Sequence, residues 1–185
     1  REFPMLAKLM TAAVVALTLT SAPASAAESE NLQLFRDVQR QVLRYPHFTI
    51  FDSVHANVNN GHVTLVGKVT MPYKKNDIEK RVAKVAAVTS IDNKIEVLPV
   101  SQFDNDLRFR IARAIYSNHN FRPYASMVNP PIHIIVDRGR VTLEGVVNSQ
   151  VDRMLARSIA SSFLAFDVKN ELQTEAEVKA ALEKL

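Results

Sequence analysis

Two hydrophobic periods alternate along the chain, one near four residues and one of two, and they lay out the same series of elements twice. Leu34, Val38 and Val42 recur at every fourth position with Arg36, Asp37, Arg40 and Arg44 elsewhere, which predicts an amphipathic helix over Asn31–Tyr45 stopped by Pro46. From Phe48 and Ile50 through Val54, Ala56 and Val58 the apolar residues fall at alternate positions, the period of a half-buried strand. Asn60-Gly61 then supplies a hairpin turn, and Val63, Leu65 and Gly67 continue on the return strand. After Pro72 the helical period resumes at Ile78, Val82 and Val85, with Lys74, Lys75, Lys80, Arg81 and Lys84 over the rest of the surface. Ile91, Asn93, Ile95 and Val97 alternate with Asp92, Lys94 and Glu96 as a third strand. The order is helix, strand, strand, helix, strand.

The same order returns with Leu107, Ile111 and Ile115 on a helix and Ile132, Ile134 and Val136 on a strand. Asp137-Arg138-Gly139 forms the turn and Val141 and Leu143 the return strand. Leu155, Ile159 and Phe163 mark a second helix, and Val168, Asn170 and Leu172 a last strand. The nonapeptide from Gly61 to Val69 agrees with that from Gly139 to Val147 at six of nine positions, 78 residues apart. The agreement keeps Gly61 with Gly139, Gly67 with Gly145, and the Val/Thr/Leu core of the strand. Asn93 and Asn170 match at an offset of 77, and Val38, Val42 and Phe48 match Ile111, Ile115 and Phe121 at 73. The second copy therefore carries five extra residues, placed within Arg122 to Pro131. Gly61, Gly67, Asn93, Gly139, Gly145 and Asn170 are the structural signature of an internal repeat.

The fold expected is α+β: two tandem αββαβ modules, each a three-stranded mixed sheet covered on one face by two helices, at residues 31–98 and 103–172. A strand-helix-strand connection places its two strands parallel, so each sheet is a hairpin plus one parallel strand. The opposite face of each sheet is left to water or to a partner. Ser101 to Asp104 reads as a capping box opening the second module. Thr174 to Glu177 reads as another, opening a terminal amphipathic helix over 174–185 through Val178, Ala181, Leu182 and Leu185. That helix is expected either to pack back on a module or to dock on a partner or membrane surface. Pro99 to Gln102 is the candidate linker, too short for free swinging.

Residues 5–26 change the setting. Lys8, an apolar run from Leu9 to Leu19 and the small residues Ala24-Ser25-Ala26 read as a secretory leader, shorter than the roughly 20 residues that span a bilayer. Arg1 to Pro4 precede that leader and add no element to the fold expected. Export with no cysteine excludes a disulfide framework and a lipid-modified cysteine, so the two cores must hold unaided. The 23 basic and 19 acidic residues leave a net charge of +4, about +3 without the leader, too mild for a nucleic-acid binder.

The module order, the Gly-x-Val-x-Leu-x-Gly return strand at Gly61 and Gly139, and the closing strand around Asn93 and Asn170 together resemble the BON domain (bacterial OsmY and nodulation), in tandem, over nearly the whole mature chain. The resemblance implies a periplasmic or envelope protein of the osmotic and envelope stress type. It implies association with anionic phospholipid or envelope proteins, no catalysis and no cofactor. Without a cysteine the chain is similar to the soluble members and not to the lipoproteins. In one branch of the family lipid contact is assigned to the first helix of the second module, which here is Phe103 to Asn118.

That helix carries Phe109, Arg113 and Tyr116 at i, i+4 and i+7, with Arg110 beside them, away from its apolar stripe. Rings and guanidinium groups suit a headgroup boundary. Packing on the first module is the competing role. The segment with Tyr124 and Met127 is expected either to extend that surface or to bridge the modules. Lys80, Arg81 and Lys84 form a second basic patch, interrupted along its helix by Asp77 and Glu79. His47, His55, His62, His119 and His133 show no metal-ligand spacing and are expected in turns or on the surface. Asp137 and Glu144 are expected to be solvated. No nucleophile elbow, phosphate loop or dinucleotide fingerprint is present, so catalytic and metal sites are expected to be absent. A protein-interaction scaffold using an open sheet face or the terminal helix is the alternative to lipid binding.

Overall fold

A computed structural model describes residues 22–183. The first module runs α1 (Ala22–Leu43), β1 (Ser53–Asn59), β2 (His62–Val69), α2 (Pro72–Val82) and β3 (Ser90–Val97). The second runs α3 (Gln102–Ser117), a 3-10 turn (His119–Phe121), α4 (Arg122–Ala125), β4 (Ile132–Asp137), β5 (Arg140–Val147), α5 (Gln150–Ser161) and β6 (Asp167–Thr174). Helix α6 (Glu175–Leu182) closes the chain. In each module an antiparallel hairpin is joined on its return strand by one parallel strand, in the orders β1-β2-β3 and β4-β5-β6. The expected α+β pair of mixed sheets and the terminal helix are both present. Most of the leader read at 5–26, and Leu185, lie outside the described residues.

Period-two sequence places Val63, Leu65 and Val69 of β2 on the same face as Ile95, under Val38, Val42, Ile78 and Val82 of the two helices. The second core repeats this with Val141, Leu143, Val147 and Leu172 under Leu107, Ile111, Ile115, Ala156 and Ala160. Ala156 and Ala160, one turn apart, bury the α5 face and let it approach the sheet closely, while Leu155 and Ile159 are only partly buried.

Two devices recur at equivalent positions. Gly67 and Gly145 adopt φ of +132° and +119°, and a Cβ on either would collide with a carbonyl oxygen, that of Ser53 on β1 or of Pro131 just before β4. Only glycine lets the hairpin strands close there. Asn93 donates to the Lys75 carbonyl at 3.2 Å and accepts from the Ile95 amide, and Asn170 does the same with the Arg153 carbonyl at 2.9 Å and the Leu172 amide. Each asparagine thus ties the last strand to the helix crossing the sheet.

The structure departs from the periodic reading in four places. Helix α1 extends back to Ala22, beyond the expected start at Asn31. Phe48 to Ile50 is not strand: the Asp52 carboxylate accepts from the Thr49 amide and hydroxyl at 2.8 and 2.7 Å, which curls the chain, and β1 starts only at Ser53. Ile50 and Phe51 leave the first module and pack on the core of the second. The insert begins as helical turns that bury Phe121 and Tyr124, while Met127 and Val128 stay exposed and Pro131 lines the cleft between the modules. Finally, Ser101 caps α3 through the Asp104 amide, but no return bond closes the box, since the Asp104 carboxylate accepts from the Arg138 and Gly139 amides at 2.9 and 2.8 Å. Asn31 makes the matching bond to Asn60 in the first module, at 2.8 Å.

The sheet faces away from the helices are turned toward one another. Lys68 on β2 reaches Asp137 on β4 at 2.5 Å, and the Ile134 amide donates to the Ile50 carbonyl at 2.7 Å, so the edge of the second sheet is partly covered by the first module. Helix α6 packs back on β6 and β5. Thr174 and Glu177 form its full capping box, and Glu177 pairs with Arg153 at 3.1 Å.

Candidate functional site

Helix α3 is held by Leu107, Ile111 and Ile115 in the core and by buried Arg108, whose guanidinium donates to the Val136 carbonyl at 3.0 Å. Its outer side does not form one aromatic and arginine stripe. Phe109 is 59% exposed, yet its ring meets Phe51 of the first module edge-on at 4.8 Å. Tyr116 turns inward: its hydroxyl donates to the Ile132 carbonyl at 2.7 Å, and burial pushes the phenol well above its ordinary range. Arg110 and Arg113 stay exposed, and among the described residues neither pairs with a carboxylate. Arg110 lies over the Phe163 ring at 5.4 Å, on the α5 side.

Tyr124 is 2% exposed and is a core residue, not a lipid contact. Its hydroxyl donates to Asp152 at 2.8 Å and accepts from the Asn148 amide at 2.8 Å. The first module builds the same junction with an ion pair in place of the neutral phenol and carboxylate. There the Asp52 carboxylate accepts from the Thr70 amide at 2.8 Å and from Lys74 at 2.6 Å, both groups fully or almost fully buried. Burial pushes the Asp52 carboxyl up, but the bonds from Lys74, Thr70 and Thr49 outweigh it and hold the group below its ordinary value. Met127 is exposed beyond the turn.

Of the second basic patch, Lys80 and Lys84 are exposed. Arg81 is engaged at the end of α1, donating to the Gln41 and Arg44 carbonyls at 3.1 and 3.2 Å and covering the Tyr45 ring at 5.7 Å. It caps orphan helix carbonyls.

The junction of the modules holds groups that the sequence placed in solvent. Glu144 Oε2 lies 2.8 Å from His55 Nε2 and also accepts from the Ser53 hydroxyl. His133 Nδ1 sits 2.6 Å from the Asp52 carbonyl. The bond to Glu144 raises His55 above its ordinary value, whereas burial lowers His133. Burial pushes Glu144 up, and its bonds from His55 and Ser53 bring it below its ordinary value. Glu144 and Asp137 are therefore inter-module ligands, correcting their assignment to water. Asymmetry was the available signal: Glu144 and Asp137 stand where the first module has Val66 and Asn59. Serine and carboxylate share the Nε2 side of His55, while a nucleophilic relay needs them on opposite ring nitrogens. The cluster is a lock between modules, beside a cleft of about 920 Å³ lined by Phe35, Phe48, His133 and Val146. No group of side chains suited to a metal ion occurs among the described residues.

The family model described as BON domain matches residues 33–99 and again 104–176. No curated protein matches the chain. Among solved structures, the C-terminal domain of CdsD, the structural protein of the Type III secretion system of Chlamydia trachomatis, is 17% identical, with 83% of this chain and 70% of that one covered and a TM-score of 0.33. A second structure of CdsD from the same organism is 14% identical, covering 82% and 97%, with a TM-score of 0.27.

Proposed function

The chain belongs to the BON domain family, carrying the domain twice, and on that premise we propose that it is a non-enzymatic envelope protein that associates peripherally with anionic phospholipid. The observation that supports this reading is the pair Arg110 and Arg113 on the exposed side of α3, two guanidinium groups without a carboxylate partner among the described residues. Guanidinium binds phosphate oxygens bidentately and always carries its charge. No helix among the described residues is long and apolar enough to cross a membrane, which fits association from one side. The stress-protective, periplasmic setting belongs to the same proposal. A scaffold acting through an open sheet face or the terminal helix has less support, because the sheet faces are turned toward one another and α6 packs on its own module.

The test is co-sedimentation with phosphatidylglycerol vesicles across a salt series. Binding should fade as the screening length shrinks from about 10 Å at 0.1 M to about 3 Å at 1 M. The double variant Arg110→Glu, Arg113→Glu should lose binding with its melting temperature unchanged. Salt-insensitive binding, or full binding by that variant, would overturn the reading.

A further inference from the structure

We propose that the loop joining α5 to β6, residues 162–166, is a wedge that enters the acyl boundary of an anionic bilayer, with Leu164 and Phe166 inserted and Phe103 beside them. This rests on the lipid reading above and names the side chains that leave water.

Leu164 is 84% and Phe166 80% exposed, an unusual display for two large apolar residues two positions apart. The loop that carries them is built. The Phe166 amide donates to the Gly139 carbonyl at 2.8 Å, the Ala165 amide to the Phe163 carbonyl at 2.8 Å, and the Phe163 amide to the Ala160 carbonyl at 3.3 Å. The Phe166 ring lies where a Cβ on Gly139 would meet it at 2.6 Å, and it stacks with Phe103 at 6.4 Å.

The fold does not require these side chains. The Thr89 amide makes the matching bond to Gly61 in the first module, which aligns Phe166 with Thr89, Leu164 with Ala87 and, through the helix offset, Phe103 with Glu30. The same scaffold is polar or small in one module and apolar in the other.

Charge and size identify the partner. Arg138 and Arg140 flank Gly139, against which the Phe166 ring lies; both are exposed and also border the inter-module cleft with Asp137 and Glu171, and Arg110 covers Phe163 on the adjacent side. Among the described residues none of the three is in an ion pair. Nearby, Asp104 is buried and accepts from the Arg138 and Gly139 amides, with buried Arg108 on the same helix, and Asp137 pairs with Lys68, so that Arg110, Arg138 and Arg140 face only the exposed Asp106 and Asp167 around the tip. One leucine and two phenylalanines, at about 150–250 Å² for each ring, fall short of the roughly 800 Å² per partner of a standard protein interface. A bilayer accepts a small exposed apolar tip with arginines nearby without matching its shape.

The chain contains no tryptophan, so a single Leu164→Trp substitution in the full chain is a clean probe. Val151→Trp, at an exposed position at the far end of α5, is the control. With phosphatidylglycerol vesicles the emission at 164 should shift to shorter wavelength and be quenched by brominated acyl chains, while that at 151 should do neither. The double variant Leu164→Ser, Phe166→Ser should bind about tenfold or more weakly with the same melting temperature. If the unmodified chain pellets with vesicles but the Leu164→Trp emission stays unquenched, the wedge is wrong and the α3 reading survives. If the unmodified chain does not pellet, both fall. Loss of self-association in the double variant, with no quenching at 164, would assign the patch to a second copy of the chain and overturn the wedge.

Discussion

His55 Nε2 and Glu144 Oε2 lie 2.8 Å apart across the boundary between the two modules. The pair joins the non-helical faces of two sheets that have no backbone ladder between them, and Ser53 completes it from the same strand as His55. Its titration follows from the direction of each shift. His55 is raised, so its contribution is full below the ordinary histidine value and is lost as pH rises through the folded value. Glu144 is lowered, so its contribution is present above the ordinary carboxyl value and is lost as pH falls through the folded one. Glu171 and His133 also face His55. His133, lowered by burial, opposes the lock by favouring unfolding as pH falls below the ordinary histidine range.

The melting-temperature difference between the unmodified chain and His55→Gln should therefore be largest in the weakly acidic range and vanish in alkali. The His55 side chain is 64% exposed, which limits the pair to about 0.2–1 kcal/mol. Calorimetry from pH 5 to pH 9 checks this, and an equal difference at both ends would disprove the lock.

Asp52→Asn leaves Lys74 charged and buried without its partner, at a cost of about 3–5 kcal/mol in the first module. Tyr124→Phe, at the corresponding junction of the second, strands the Asn148 amide and one Asp152 oxygen, at a cost of about 1–3 kcal/mol. Urea unfolding should rank the two in that order. Because Asp52 is lowered, the gap between Asp52→Asn and the unmodified chain should close as pH falls through the folded Asp52 value.

Gly67→Ala and Gly145→Ala each drive a Cβ into a backbone carbonyl at positive φ. A flexible side chain could yield there, but a strand backbone does not, so the loss should reach about 4 kcal/mol or more. Amide exchange should show the damage concentrated in the module that carries the substitution.

Phe51→Ala removes a ring that packs on the second core and against Phe109. The expected cost is about 1–2 kcal/mol, below that of a fully buried phenylalanine. The measurement that matters is cooperativity: calorimetry should show the two modules melting further apart than in the unmodified chain.

Much of this architecture is legible in the residues themselves. The period of two at Val63 and Leu65, the period near four at Leu107, Ile111 and Ile115, and the repeated glycines report geometry set within a few residues of each position. The reading failed where one side chain had a distant alternative. Tyr124 reads as a surface ring until Asn148 and Asp152 are seen to enclose its hydroxyl. Tyr116 keeps the helical spacing of Phe109 and Arg113, yet its hydroxyl finds the Ile132 carbonyl. Phe48 to Ile50 keeps strand periodicity, but Asp52 outcompetes the ladder for the Thr49 amide. Leu164 and Phe166 fell outside every periodic stripe, and only their exposure singled them out.

The amino-acid order by itself determined two copies of one αββαβ unit, because strand and helix periods and turn glycines are local constraints that each segment carries with it. Only the tertiary structure decided which polar groups meet across the modules, which rings are buried and which apolar loop faces outward. Those outcomes depend on the relative placement of segments tens of residues apart, and a polar side chain reads the same in sequence whether its partner is water, Glu144 or a lipid phosphate.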